Sequence, residues 1–255
     1  MKISYLFVIA LLGQSCLLKK VAVSNADLAI ETQIQKRLSL YSPQKDQLAL
    51  DVDNLLNQSK SKLKEAQPLI LKLKLEPDTV ENEYTELKKP YVVLARDYIQ
   101  LLSKYLSKLD EKQLKNFWEK FDETTVESGK KSKSERLEKL VDRFEMFFDE
   151  VSDDQRKILK DHSKYLVETA PQRLERRNTL KEKLKSIFES KDSAAKASAI
   201  VSAYDEYHEA SLDDQKNIEV LNAIAPTLSK KQRAFFETKK IEVKDLIDFF
   251  LTKKF

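Results

Sequence analysis

The stretch SERLEKLVDRFEMFFDE, from Ser134 to Glu150, determines the fold that we expect for this chain. Its apolar residues recur at three- and four-residue steps, which places them on one face of a helix, opposite a face of Glu, Lys, Asp and Arg. Similar stripes recur elsewhere and no stretch alternates with a period of two, so we expect an all-α protein without a sheet, an elongated array of antiparallel amphipathic helices. The apolar positions of this stripe are Leu137, Leu140, Val141, Phe144, Phe147, Phe148 and Val151.

The helix starts share a second pattern, in which an apolar residue is followed by a cap, two polar residues and a glutamine. An Asp or Ser side chain at the cap accepts a hydrogen bond from the amide three residues later, and the glutamine accepts one from the amide of the cap. Weaker copies occur at Tyr41-Ser42-Pro43, where we expect proline at the first helical position, and at Ser211-Leu212-Asp213-Asp214. The three full copies predict capping pairs at Asp110 and Gln113, Ser152 and Gln155, and Ser229 and Gln232.

The composition argues against several classes of site. The chain is 35% charged and 41% hydrophobic and has two glycines, Gly13 and Gly129. Phosphate-cradling loops, dinucleotide-binding turns and nucleophile elbows need glycines at fixed spacing. His162 and His208, the two histidines, are far apart and are interpreted as packing or capping residues. We therefore expect a protein that is not an enzyme and that has no cofactor and no metal site.

The N-terminus resembles a bacterial lipoprotein signal. Lys2 precedes an apolar run and then Gly13-Gln14-Ser15 and the single cysteine, Cys16, and the run is too short to span a membrane. Lipoprotein signals place a Leu-x-small-Cys box before the acylated cysteine, and here Gly13 stands where leucine is expected. The alternative is an ordinary secretory peptide cut near Ala22 or Ala26. The resemblance implies lipidation at Cys16 and a membrane anchor, and Leu17 after it favours the outer membrane, facing the periplasm.

These observations predict three segments, with oligomeric state left open. Residues 1–15 are expected to be a signal peptide, residues 16–24 a lipid-anchored linker and residues 25–255 one helical domain with a hinge near 126–134. Removing Lys2 with the signal leaves 45 basic residues (46 − 1) against 42 acidic ones, interleaved along the chain. Such a balance argues against nucleic acid as a partner.

The repeated turns, the helix from Ser134 to Glu150 and the lipoprotein signal together resemble an uncharacterised family of helical bacterial lipoproteins with several Leu-Thr-Pro-Glu-Gln turns. A more distant likeness is to periplasmic chaperones of the Spy and CpxP type, which carry Leu-Thr-x-x-Gln turns. The first resemblance implies no transferable activity. The second implies a helical cradle that holds unfolded clients without ATP.

Two further groups of side chains are candidates for binding. Phe117, Trp118 and Phe121 form an aromatic face, which is interpreted as core packing or, alternatively, as a groove for a client or partner. Arg173, Arg176 and Arg177 are candidates for contact with an anion, against the alternative of a solvated helix face paired with glutamates.

The function expected from the sequence is non-catalytic. A lipoprotein of the envelope would bind other envelope proteins as a scaffold or chaperone-like module. The second hypothesis is a carrier of a lipidic ligand between helices, and the third is an unrecognised hydrolase.

Overall fold

The computed structural model describes residues 16–129, 132–209 and 213–255, and within these ranges the chain forms eleven α-helices and no strand, as predicted. A single 3₁₀ turn, Ala225–Thr227, precedes the last helix. The helices are α1 Cys16–Ser24, α2 Ala26–Leu38, α3 Ser42–Lys72, α4 Val80–Leu106, α5 Glu111–Gly129, α6 Lys133–Phe148, α7 Asp153–Glu168, α8 Ala170–Phe188, α9 Ser193–Glu209, α10 Asp213–Ile224 and α11 Lys230–Thr252.

Helix α6 corresponds to the stretch from Ser134 to Glu150, with slightly different ends. It begins after Ser132, whose Oγ accepts a hydrogen bond from the Glu135 amide at 3.2 Å while Glu135 Oε2 accepts one from the Ser132 amide at 2.7 Å. It ends at Asp149, whose φ of 74° turns the chain out of the helix. Val141, Phe144 and Phe148 are buried, as their spacing predicts.

The helices form two halves, and equivalent helices follow one another in the same order along the chain in each half. In the N-terminal half, α2 packs on α3 and α5, and α3 packs on α4. In the C-terminal half, α6 packs on α7 and α11, and α8 packs on α9. Helices α7 and α8 together take the place of α3, and α9 and α10 together take the place of α4. Each half thus consists of a first helix, a long helical hairpin and a last helix that packs on the first. We call this last helix, α5 in the N-terminal half and α11 in the C-terminal half, the closing helix of its half.

The contacts between the halves are reciprocal. The closing helix α11 packs on α3 of the other half, and the closing helix α5 packs on α8 in the same way. The equivalent helices α4 and α9 pack on each other. Reciprocal contacts of this kind are typical of a twofold interface between two copies of one unit. Here both units belong to one chain.

The largest core cluster joins the two halves. Leu55 and Leu101 of the N-terminal half share it with Leu184, Ile200 and Phe250 of the C-terminal half. The buried residues of a second cluster belong to the C-terminal half, where Phe148 stacks on Phe144 and Phe236 at centroid distances of 4.4 and 5.3 Å. Leu73 and Leu75 of the N-terminal half pack against this cluster. Burial of apolar surface therefore holds the halves to each other as well as stabilising each one.

The segment predicted to be a linker, residues 16–24, is instead helix α1. It packs on α11, with Val23 2% exposed, Lys20 Nζ 5.7 Å from the centroid of the Phe249 ring and Lys253 Nζ donating to the Ser24 carbonyl at 3.0 Å. A helix forms here because burying Val23 against α11 stabilises the segment. The predicted signal peptide, residues 1–15, lies outside the described residues.

The expected hinge near 126–134 spans the end of α5 at Gly129 and the start of α6 at Lys133, and residues 130–131 lie outside the described part of the chain. Residues 211–212 of the weaker capping copy also lie outside it. Among the helices that are described, none is long and apolar enough to cross a membrane.

Candidate functional site

The predicted capping glutamines of the C-terminal half meet in its interior. Gln155 Nε2 donates to Gln232 Oε1 at 3.0 Å, and Gln232 Nε2 donates to Gln155 Oε1 at 2.8 Å. Each glutamine also accepts from the amide of its own cap, Ser152 or Ser229, at 2.9 Å. Gln155 is 0% exposed and Gln232 is 3% exposed. The hydrogen bonds between the two capping boxes therefore hold the starts of α7 and α11 together.

The same glutamines bind the chain that precedes the opposite box. Gln232 Nε2 donates to the Glu150 carbonyl at 2.8 Å, two residues before Ser152. Gln155 Nε2 donates to the Thr227 carbonyl at 3.2 Å, two residues before Ser229. Polar groups buried this deeply require such partners, because an unpaired buried amide is costly.

The N-terminal half repeats this arrangement with Tyr41 in the place of a serine cap. Gln44 Oε1 accepts a hydrogen bond from the Tyr41 amide at 3.0 Å, so the box begins at Tyr41. Pro43 is therefore the second helical residue, whereas the sequence predicts it as the first. Gln113 Nε2 donates to Gln44 Oε1 at 2.7 Å and to the Ser39 carbonyl, two residues before Tyr41, at 3.1 Å.

The cap of the second box in this half is Asp110. Its Oδ1 accepts from the Gln113 amide at 2.8 Å, and its Oδ2 accepts from the Tyr41 hydroxyl at 2.7 Å. These hydrogen bonds hold the pKa of Asp110 below its usual value, the Gln113 amide having the larger effect. The hydrogen bond to Asp110 likewise raises the pKa of Tyr41. All three predicted capping pairs are thus formed, and they serve to assemble the fold.

The aromatic face predicted on α5 is partly buried against α8. Phe117 and Trp118 lie against Phe188 of α8 at centroid distances of 6.2 and 5.8 Å, and Trp118 lies 5.9 Å from Phe121. These rings belong to the contact between the two halves. This position agrees with core packing, which was one of the two interpretations of the sequence.

The three candidate arginines contact three different parts of the protein. Arg177 donates to the Thr124 hydroxyl at 2.6 Å, and its guanidinium lies 4.7 Å from the centroid of the Phe121 ring. Arg176 lies over the Tyr207 ring at 5.9 Å, and Arg173 donates to the Thr169 hydroxyl at 2.5 Å. Burial lowers the pKa of Arg177. Arg177 therefore holds α8 on α5, Arg176 holds it on α9, and Arg173 binds the turn between α7 and α8, so the three side chains do not converge on one point.

The outer face of α8 carries an open groove. Its volume is about 690 Å³, and it is rich in apolar surface. Leu174, which lines the groove, is 43% exposed, and Val167, one turn before Pro171, is 38% exposed. These three residues fall at helical spacing along one stripe. The residues lining the groove are Pro171, Leu174, Glu175, Asn178, Thr179, Glu182 and Lys183.

The charges on α8 are mixed. Arg177 binds α5 and Lys181 Nζ contacts Asp122 of α5 at 2.6 Å, whereas Lys183 is exposed and lines the groove. Exposed carboxylates lie along the groove at Glu175 and Glu182, the latter paired with Lys185 at 2.8 Å. The groove therefore combines apolar surface with a rim that carries both signs of charge, since Lys183 lines it beside Glu175 and Glu182. Sequence reasoning missed it because the apolar stripe on this helix is short.

The two histidines are in packed positions. His162 is buried on α7 and stacks on Tyr165 at 5.9 Å, and His208 lies 5.9 Å from the Tyr204 ring. Within the described ranges, no group of three or more His, Cys, Asp or Glu side chains is arranged to hold a metal ion.

Comparison of the chain with protein-family models, with curated proteins and with solved structures returned no match. The lipoprotein resemblance therefore stays a hypothesis drawn from the sequence.

Proposed function

We propose that this chain is a non-catalytic lipoprotein of the bacterial envelope, anchored through Cys16, which binds other envelope proteins as a scaffold or chaperone-like module. The observation that carries the binding proposal is the groove on α8, which is lined by Leu174, 43% exposed. A concave apolar surface with polar groups at its rim is the usual form of a site for a protein segment. We therefore assign partner binding to α8.

The packing of α1 is compatible with the anchor. Because Val23 of α1 is buried and α1 packs on α11, a lipid on Cys16 would hold the helical body close to the membrane. The resemblance of the leader implies an outer-membrane address facing the periplasm. Proteins held this way meet other envelope proteins at high effective concentration, so a groove of modest affinity is sufficient for binding.

Site-specific cross-linking in cells of the source organism tests the binding proposal. A photoreactive amino acid replaces Leu174 in one protein and Leu50 in a matched control, because Leu50 is also an exposed leucine on a long helix, 60% exposed, and lies outside the groove. We expect a discrete protein adduct at position 174 that is absent at position 50. Equal adducts at both positions, no adduct, or a lipid adduct at 174 would contradict the proposal.

Labelling with radioactive palmitate tests the anchor. The wild-type protein should incorporate the label and fractionate with membranes, and Cys16→Ala should lose both properties while keeping its helical circular dichroism signal. Palmitate incorporation into Cys16→Ala would contradict the anchor. The adduct at position 174 distinguishes the two parts of the proposal, because it does not depend on lipidation.

A further inference from the structure

Helices α1 and α2 form one nearly continuous helical segment that begins at Cys16. At their junction, the Asn25 amide donates to the Val21 carbonyl at 3.1 Å, and the Ala29 amide donates to the Asn25 carbonyl at 3.0 Å. Both hydrogen bonds join residues four apart, as in an α-helix, so helical hydrogen bonding continues across the junction. The exposed residues of the two helices therefore lie along one segment that leads away from the proposed anchor.

One face of this segment is buried in the protein, and the opposite face is open to solvent. The buried residues recur at three- and four-residue steps and are Val23, Ala26, Ile30, Ile34 and Leu38. On the open face, Val21 is 51% exposed and Leu28, about two helical turns later, is 56% exposed. We call this open surface the α1–α2 face. Its other exposed residues are Ala22, Asn25, Ala29, Thr32, Gln33 and Lys36.

The α1–α2 face carries no carboxylate among residues 21–36, all of which the structure describes. Asp27 and Glu31 are the acidic residues of this stretch, and both are half-buried. Burial is the main cause that raises the pKa of Glu31, followed by the nearby charges of Asp27 and of Asp53 on α3. The Glu31 side chain thus lies toward α3, and the exposed charge on the face is positive, at Lys36.

A face of this kind suits the surface of a bilayer. Its apolar side chains can enter the membrane interface, and the lack of exposed carboxylates avoids repulsion from anionic headgroups. The exposed cations Lys20 and Lys36 flank the face along the chain and can contact lipid phosphates. Helix α7, by comparison, exposes both signs of charge to water in the ion pair of Asp161 with Lys164.

The proposed anchor indicates which surface covers the face. Leu28 follows Cys16 by 12 residues (28 − 16), which is about 18 Å along a helix. A body held by a lipid on Cys16 can stand on the start of α1, which keeps Leu28 in water, or lie along the membrane. Only the second orientation removes Val21 and Leu28 from water, so burial of apolar surface favours it.

We propose that the α1–α2 face lies flat on the bilayer surface into which the lipid on Cys16 inserts. This inference rests on the proposed function, and it adds a second membrane contact that fixes the orientation of the helical body. A lipid chain and a surface contact together hold a protein more firmly than either one does.

Fluorescence quenching in vesicles tests the inference on the lipidated protein. Leu28→Cys carries a thiol-linked fluorophore in one protein, and Leu174→Cys carries it in a control, because Leu174 is an exposed leucine of the other half. Acylation blocks the thiol of Cys16, so each protein has one free thiol. The vesicles contain phosphatidylethanolamine and phosphatidylglycerol, part of which bears a quencher on the acyl chain. Quenching at position 28 should be at least about threefold stronger than at position 174.

An added charge gives a second measurement with the fluorophore kept at position 28. Gln33→Glu places a carboxylate on the α1–α2 face, and Gln172→Glu places one at an exposed position of α8. Gln33→Glu should reduce the quenching at least about twofold, because the anionic headgroups repel the new charge. Gln172→Glu should leave the quenching unchanged. Equal quenching in the two variants would contradict contact between this face and the headgroups.

Three further results would overturn the inference. Equal quenching at positions 28 and 174, in protein that carries palmitate, would reject the membrane contact and leave the anchor standing. Protein without palmitate and without quenching at position 28 would reject the anchor and the membrane contact together. A fluorophore at position 28 that is shielded from water before vesicles are added, in a chain that sediments as a dimer, would assign the face to a second copy.

Discussion

Gln155 and Gln232 exchange hydrogen bonds in both directions across the interior of the C-terminal half, with Nε2 to Oε1 distances of 3.0 and 2.8 Å. Each glutamine side chain also accepts a hydrogen bond from the cap of its own helix, so it makes one local contact and one long-range contact. Local capping would be satisfied in any isolated helix. The exchange between the glutamines fixes which two helix starts lie together.

Replacing Gln155 by alanine should therefore cost more than the loss of a cap. The substitution removes one hydrogen bond each from the backbone amide of Ser152 and the Thr227 carbonyl, and both hydrogen bonds between the side-chain amides of Gln155 and Gln232. Because the site is buried, we expect a loss of about 2–4 kcal/mol in the free energy of unfolding. Urea denaturation measures it. Gln172→Ala, at an exposed position, is the control and should change stability by less than about 0.5 kcal/mol. Equal effects of the two substitutions would contradict this role for Gln155.

Ser229 offers a separate measurement of capping alone. Its Oγ accepts from the Gln232 amide at 3.1 Å. Ser229→Ala should lower the free energy of unfolding by about 1 kcal/mol, and Ser229→Gly by only a few tenths, because glycine leaves the amide open to water. Thermal melts of the two variants should show this order. The reverse order would indicate that packing of the serine, and not capping, is what matters.

Lys240 on α11 is a buried cation that closes the end of α3. It is 6% exposed, and its Nζ donates to the Leu71 and Leu73 carbonyls at 3.1 and 2.7 Å. Lys240→Met keeps most of the aliphatic packing and removes these donors, so about 1–3 kcal/mol of stability should be lost. Lys254→Met, at an exposed position near the C-terminus, is the matched control for chemical denaturation. Wild-type stability in Lys240→Met would show that water satisfies these carbonyls.

Asp51 predicts how stability depends on pH. Burial alone would raise the pKa of this carboxyl, but hydrogen bonds from Lys104 at 2.5 Å and Tyr105 at 2.6 Å outweigh burial and lower it. Because the pKa is lower in the folded state, the stabilisation is complete above the ordinary value of about 4 and is lost as the pH falls through the folded pKa.

Asp51→Asn should consequently be destabilised relative to wild type by about 1 kcal/mol near pH 7, and the difference should shrink below about pH 4. Denaturation curves at several pH values measure this difference. A gap that stays constant down to pH 2–3 would show that the carboxylate charge does not contribute.

The sequence predicted the local features of this fold because they depend on residues three or four positions apart. The stripe of α6 and the boxes at Asp110, Ser152 and Ser229 were all found in this way. The box at Tyr41 was assigned one residue late because tyrosine is an uncommon cap, although Gln44 stands at the expected spacing from it.

The arrangement of the helices could not be predicted in the same way. Gln155 and Gln232 are 77 residues apart, and nothing local specifies that their boxes meet. The exposure of Leu174 depends on which face of α8 its neighbouring helices cover, which is a tertiary feature. The candidate arginines were identified by type, but the partner of Arg177 on α5 is set by the packing of the two halves.

Cleavage of the chain between its halves should leave them associated. A protease site inserted between Gly129 and Ser132 cuts after α5 and before α6, and residues of both halves, such as Leu101 and Ile200, share the largest core cluster. Separation would expose this surface, and each fully buried Leu or Ile contributes about 1.5–3 kcal/mol to keeping it covered. The nicked protein should elute as one species in size-exclusion chromatography and separate only in denaturant. Elution as two helical fragments in native buffer would show that each half is stable by itself and that the interface between them is weak.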